Sequence, residues 1–299
     1  MNDASDNTTI ATCANCGKGE ENSGDLKACT ACKLVKYCNR ECQIAHRPLH
    51  KKACKKRAAE LHEEALFKDP PPTEDCPICF LPLALDPREN AFKTCCGKLI
   101  CCGCVYTMSK EARGRGKIDL CAFCREPNPS SDADETKRIK KLMDANNARA
   151  FYYLAGWYDR GISGMPQDFA KANELLLRAG ELGCADGYCN LGNSYYNGEG
   201  VEVDKKKAIL YWELAAMNGD VKARLNLGRM EGQAGNHHRA MKHYLLAAKA
   251  GYKDSLDAVK VGYMNGIVTK DEYENTLRAY QSRQDEMKSD DRDKASAVL

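Results

Sequence analysis

A chain of 299 residues, 43% apolar and 29% charged, has room for two or three domains and a globular composition, not a disordered or fibrous one. Its net charge is only +3, which singles out no polyanionic partner such as nucleic acid. No apolar run approaches the roughly 20 residues that cross a bilayer, so no membrane partner is expected.

Residues 1–12 are polar and short of apolar anchors, and a mobile arm is expected there. The start, Met-Asn-Asp-Ala-Ser-Asp, lacks the basic and apolar regions of a secretory signal. We therefore expect an intracellular setting, cytoplasmic and/or nuclear, where thiols stay reduced. All of the 18 cysteines except Cys184 and Cys189 lie between Cys13 and Cys124. Such density in a reducing compartment reads as metal binding, and zinc is the expected ion because it takes tetrahedral thiolate and imidazole ligands.

Over residues 13–54 come Cys13 and Cys16, Cys29 and Cys32, Cys38 and Cys42, then His50 and Cys54. Eight ligands fill two tetrahedra. So short a segment cannot fold on apolar burial alone, whereas a structural zinc contributes about 10–16 kcal/mol of apparent free energy. Cys42, His46, His50 and Cys54 recur every four residues, so stacking on one helix face leaves His46 open beside His50. Pro48 is expected to interrupt that helix. The ligand order, with Tyr37 before Cys38 and Gln43 after Cys42, resembles the MYND zinc finger. That resemblance implies one zinc on Cys13, Cys16, Cys38 and Cys42, and an interleaved second on Cys29, Cys32, His50 and Cys54. Arg47 stands where the family usually carries a tryptophan that helps form a groove for proline-rich peptides.

Residues 55–73 read as a short helix, Lys55 to Phe67, and a stiff spacer at Pro70-Pro71-Pro72. Lys51, Lys52, Lys55, Lys56 and Arg57 read as a solvated basic face. Residues 74–127 hold Cys76 and Cys79, Cys95 and Cys96, Cys101, Cys102 and Cys104, then Cys121 and Cys124, nine thiols for eight places. The pair order resembles a RING finger of the all-cysteine kind, since Lys98 stands where a histidine is usual. We assign Cys76, Cys79, Cys101 and Cys104 to one zinc and Cys95, Cys96, Cys121 and Cys124 to the other. Cys102 is left over, and its exchange with Cys95 stays open. A RING finger does no bond chemistry with its own side chains; it orients a thioester-charged ubiquitin-conjugating enzyme, an effect of positioning. Ile78 matches the family's apolar contact for that enzyme, and Arg125, after the last ligand, matches the arginine that links the enzyme to ubiquitin. Lys110–Lys117 is expected to be a solvated basic loop.

A linker and leading helix occupy residues 128–146. From 147 to 252 the sequence repeats: Leu191-Gly192 returns as Leu227-Gly228, Asp168 and Ala172 as Asp204 and Ala208, and Ala179 and Gly183 as Ala215 and Gly219, all shifted by 36. A period of this size means stacked helix pairs, and the pattern resembles Sel-1-like repeats, relatives of tetratricopeptide repeats. Trp157, Tyr195 and Trp212 read as packing between helices, Cys184 and Cys189 as small buried residues, and His237, His238 and His243 as no metal site. Residues 253–281 read as capping helices and 282–299 as a charged tail that cannot bury a face.

The expected fold is thus mainly α: two small zinc-stabilised modules, MYND-type and RING-type with little β, followed by an α-solenoid of Sel-1-like helix pairs. The whole resembles multidomain zinc proteins of unicellular algae. Four zinc ions are expected, two per finger. The resemblance implies either a RING-type ubiquitin ligase whose repeats recruit proteins or peptides, with a ubiquitin-conjugating enzyme as partner, or a non-catalytic zinc-dependent adaptor. Whether the chain is an enzyme is open at this level, and no catalytic residue of its own is expected.

Overall fold

The computed structural model describes residues 12–19, 26–116, 118 and 120–298; most of the expected arm, and Lys117 of the expected loop, lie outside them. Two compact units divide at Lys68 and Asp69.

In the first unit, β1 (Lys27–Ala28) and β2 (Lys36–Tyr37) pair antiparallel, and Cys13 bridges to Lys36. Asn39 then caps α1 (Arg40–Leu66) by accepting from the Cys42 backbone N–H at 2.8 Å. Pro48 does not interrupt this helix, contrary to expectation. Proline removes one backbone donor, but Cys42 before it and His50 and Cys54 after it are pinned to the core of this unit. Nor is there a separate helix beyond Lys55, because α1 continues without a break. Three of the five buried core residues are candidate ligands, Cys13, Cys29 and Cys32, and Leu26 and Tyr37 complete the cluster.

The second unit opens with a cysteine turn at 76–79. The hairpin of β3 (Asn90–Lys93) and β4 (Lys98–Cys101) follows, in register Asn90 with Cys101, and leads into α2 (Cys102–Gly114). The expected loop from Lys110 is helical as far as Gly114, since Lys, Glu, Ala and Arg are good helix formers. A second cysteine turn at 121–124 ends the finger, whose core is Cys76, Leu83, Ile100, Cys101 and Cys121.

Helix α3 (Asp132–Asp144) leads into antiparallel pairs: α4 (Ala148–Arg160) with α5 (Phe169–Glu181), α6 (Ala185–Asn197) with α7 (Lys205–Met217), and α8 (Val221–Gln233) with α9 (His237–Lys249). The repeated residues have repeated tasks. Asp168 and Asp204 both cap second helices with their carboxylates, and Gly183, Gly219 and Gly251 all turn at φ near +95 to +99°. Gly192 and Gly228 let aromatic rings of the next helix, Trp212 and Tyr244, lie directly on the backbone. A Cβ on Gly228 would stand 2.4 Å from the Tyr244 ring. Gly228→Ala is therefore expected to cost about 1–3 kcal/mol, read as a lowered midpoint of helix melting, whereas Gly232→Ala, with open space at its Cβ, should melt no earlier than the wild type.

Trp157 and Trp212 are buried and Tyr195 stacks on Tyr211 at 5.5 Å between centroids, as packing residues should. Cys184, Cys189 and His243 are buried, while His237 and His238 are exposed. Helices α10 (Lys253–Met264) and α11 (Lys270–Met287) close the array, and α12 (Asp290–Ser296) follows. The expected charged tail thus differs from the structure: its first residues extend α11, and the rest forms a helix that buries Ala295 and packs on α2. Only one small residue and one arginine face inward, too sparse a pattern for periodicity to reveal. On its other side the finger meets the array through Phe92 stacked on Tyr153 at 4.3 Å, Glu74 paired with Arg149 at 2.9 Å, and Asn147 Nδ2 donating to the Gly97 carbonyl at 3.3 Å.

Candidate metal centres

Four of the five Cys-x-x-Cys segments fold into the same turn, while the fifth, Cys101 to Cys104, lies at the start of α2. The backbone N–H four residues after the first cysteine donates to that cysteine's carbonyl: Gly17 to Cys13, Lys33 to Cys29, Phe80 to Cys76 and Arg125 to Cys121, all at 2.9–3.0 Å. The donor residue has positive φ in every case, between 57 and 73°. Only one of the four is a glycine, so three of these turns hold a side chain in the left-handed region at about 1–3 kcal/mol each. Something beyond local preference must hold them.

The turns bring sulfurs together in four groups whose ligand atoms all lie within 4.8 Å of one another: Cys13, Cys16, Cys38 and Cys42; Cys29, Cys32, His50 and Cys54; Cys76, Cys79, Cys101 and Cys104; and Cys95, Cys96, Cys121 and Cys124. None of the cysteines forms a disulfide. Neighbouring sulfurs are 3.7 Å apart for Cys16 and Cys38, 3.8 Å for Cys29 and Cys54, 3.9 Å for Cys76 and Cys104, and 3.8 Å for Cys79 and Cys101. In the last group the distances are 4.0 Å for Cys96 and Cys121 and 3.4 Å for Cys95 and Cys124. A tetrahedron with Zn–S bonds of about 2.3 Å has edges of about 3.8 Å, so the donor sets fit zinc. His50 Nε2 approaches the Cys32 sulfur at 3.2 Å. His46 stands outside the groups, its Nδ1 bonded to the Tyr37 hydroxyl at 3.0 Å and its ring stacked on that of His50. Cys102 also stands outside, donating to the Arg88 carbonyl.

The electrostatics of each group call for a cation. Burial pushes one thiol of each group up, but backbone N–H groups aimed at its sulfur outweigh this. They bring Cys13 and Cys29 down to about 6, and Cys76 and Cys121 down to about 7. The partners move the other way. The Cys42 thiol chiefly drives Cys38 up to about 12, and burial together with Cys29 drives Cys54 to about 11. Burial is also the main cause that raises Cys96 to about 11 and lifts Cys95 and Cys104. One thiolate per group forms readily and its charge opposes ionisation of the others, so a positive ion is needed for all the thiols of a group to ionise together.

Ile78 lies half-buried inside the first turn of the second finger, and Arg125 is exposed immediately after its last turn. On the first finger, Tyr37, Gln43, Ile44, Arg47 and Lys51 line a cleft of about 400 Å³, with Arg47 in the place of the family's usual tryptophan. The cysteine pairs were visible in the sequence. The half-buried Arg292 contact with Cys79, at 3.7 Å, was not, and nothing in the local pattern around Arg292 signals it.

Comparison with known proteins identifies two kinds of module in the chain. The MYND finger model matches residues 13–54, and the Sel1 repeat model matches 144–184, 185–220 and 221–252. Over 50 residues the chain is 40% identical to SLX8 of Saccharomyces cerevisiae, a subunit of the E3 ubiquitin-protein ligase complex SLX5-SLX8, covering 17% of this chain and 16% of that protein. Over 161 residues it is 24% identical to chitin synthase regulatory factor 4 of Schizosaccharomyces pombe, covering 54% of this chain and 25% of that one. The chain therefore spans a quarter or less of these curated relatives. Among solved structures, a Sel1 repeat protein from Oxalobacter formigenes is similar at 23% identity and a TM-score of 0.44, covering 50% of this chain and 64% of the other. One chain thus joins a zinc-binding MYND finger to three Sel1 repeats, the latter modules of protein interaction.

Proposed function

We propose that this protein is a zinc-dependent ubiquitin ligase of the RING type, carrying two zinc ions in each finger, with the Sel1 array recruiting the protein to be modified. The observation that carries the reading is the second finger's arrangement: Ile78 and Arg125 sit in the first and last of its cysteine turns, each turn closed by a hydrogen bond to a candidate ligand's own carbonyl. A planar guanidinium held there can donate to two partners at once, which a lysine does poorly. The finger needs no nucleophile, because it acts by orienting a charged conjugating enzyme and restricting its thioester to reactive geometries. The likeness to a subunit of a ubiquitin-ligase complex supports this reading.

The test is chain assembly by the purified full-length protein with a panel of ubiquitin-conjugating enzymes. Ile78→Ala and Arg125→Ala should each lower the rate by about tenfold or more, some 1.4 kcal/mol of barrier, while metal content stays at the wild-type value. Arg125→Gly separates side chain from backbone: glycine relieves the positive φ of 66° and still lacks the guanidinium, so it should be as inactive as the alanine variant. Wild-type protein inert with every conjugating enzyme would leave a zinc-dependent adaptor as the function.

A further inference from the structure

The last helix, α12, carries five charged residues among its seven, yet it lies on the second finger. Its backbone rests on Gly103, between Cys102 and Cys104: a Cβ there would stand 2.8 Å from the Arg292 nitrogen. From that seat the Arg292 guanidinium reaches the first cysteine turn. Nη1 donates to the Pro82 carbonyl at 2.7 Å and to that of Met287 at 3.0 Å, and Nη2 donates to the Leu81 carbonyl at 3.3 Å and to the Cys79 sulfur at 3.7 Å.

Among the described residues no carboxylate pairs with Arg292, and its Nε is buried without a hydrogen-bond partner. Arg138, whose charge interacts with Cys95, is by contrast already paired with Asp134 at 2.9 Å. The negative charge that faces Arg292 is therefore the thiolate set of Cys76, Cys79, Cys101 and Cys104. Four thiolates around a divalent ion carry a net charge of −2, which is expensive at a centre whose Cys76 and Cys101 are almost wholly shielded from solvent.

We propose that Arg292 is a positioning residue of this metal centre. It fixes the turn over residues 79–82, donates to the Cys79 thiolate and offsets the charge of the four sulfurs, so that retention of the ion depends on the carboxyl-terminal helix. The N–H···S contact also draws electron density from Cys79 and lowers its reactivity toward electrophiles. The inference rests on the zinc reading of the second finger but not on ligase activity.

The experiment follows ion release from the full-length chain by native mass spectrometry in a chelator, with the alkylated cysteines mapped at each time. In Arg292→Gln, one ion of four should leave about tenfold sooner than in the wild type or faster, and Cys76, Cys79, Cys101 and Cys104 should be alkylated first. Arg292→Lys keeps the charge without the fork and should fall between. Ala295→Asp, which lifts the helix while leaving Arg292 and the finger unchanged in sequence, should match Arg292→Gln. Wild-type release and alkylation order in both Arg292→Gln and Ala295→Asp would overturn the inference. Failed ubiquitin transfer by a chain that shows the expected release pattern would overturn only the ligase reading.

Discussion

Stripping metal with excess chelator is expected to unfold both fingers and leave most of the helical array standing. Each structural zinc contributes about 10–16 kcal/mol, comparable to a whole small domain's usual net stability of about 5–15 kcal/mol. Three of the five buried core residues in each finger are its own ligands, so little apolar reserve remains once the ions leave. The array has such a reserve: Ile139, Leu154, Trp157, Leu175 and Leu191 form one buried cluster, and Leu225, Tyr244, Leu256 and Val259 another. Hydrogen exchange should show loss of protection at residues 27–54 and 76–124, with α4 to α9 still protected and most far-ultraviolet helical signal kept. Protection of the fingers that survives complete metal removal would refute the metal-centred account.

Cys42→Ala is expected to lose two ions, not one. Helix α1 carries Cys42 in one ligand group and His50 and Cys54 in the other, so a frayed first turn misplaces ligands of both. The helix also crosses Pro48, where one backbone hydrogen bond is missing, and has no other anchor at that point. Native mass spectrometry should find only the two ions of the second finger. A variant with three ions would mean that the two centres of the first finger fold independently.

What could be read in the sequence was local. A cysteine pair with two residues between announces a turn, and small residues and caps that return after 36 positions announce stacked helix pairs; the repeats followed from such short-range marks, whereas the division of the ligands into groups was implied by the resemblance to zinc fingers. The missed features need partners far apart. Arg292 meets Cys79 through a contact 213 residues long, made possible by the absence of a side chain at Gly103, and neither residue is conspicuous in its own neighbourhood. Pro48 misled because helix propensity is a local rule overridden by ligands on both sides. Lys33, Phe80 and Arg125 take a backbone shape that glycine would have advertised, and they do so because turn closure and the sulfur cluster outweigh the strain.

The contact between the last helix and the finger also sets a limit on evolution. Stacked-repeat proteins ordinarily gain or lose units freely, because each unit touches only its neighbours. Here both ends of the array are tied to the same small finger, by Tyr153 and Arg149 at one end and Arg292 at the other. Duplicating or deleting a helix pair would carry one tie out of reach, so the copy number is locked by closure of the chain upon itself.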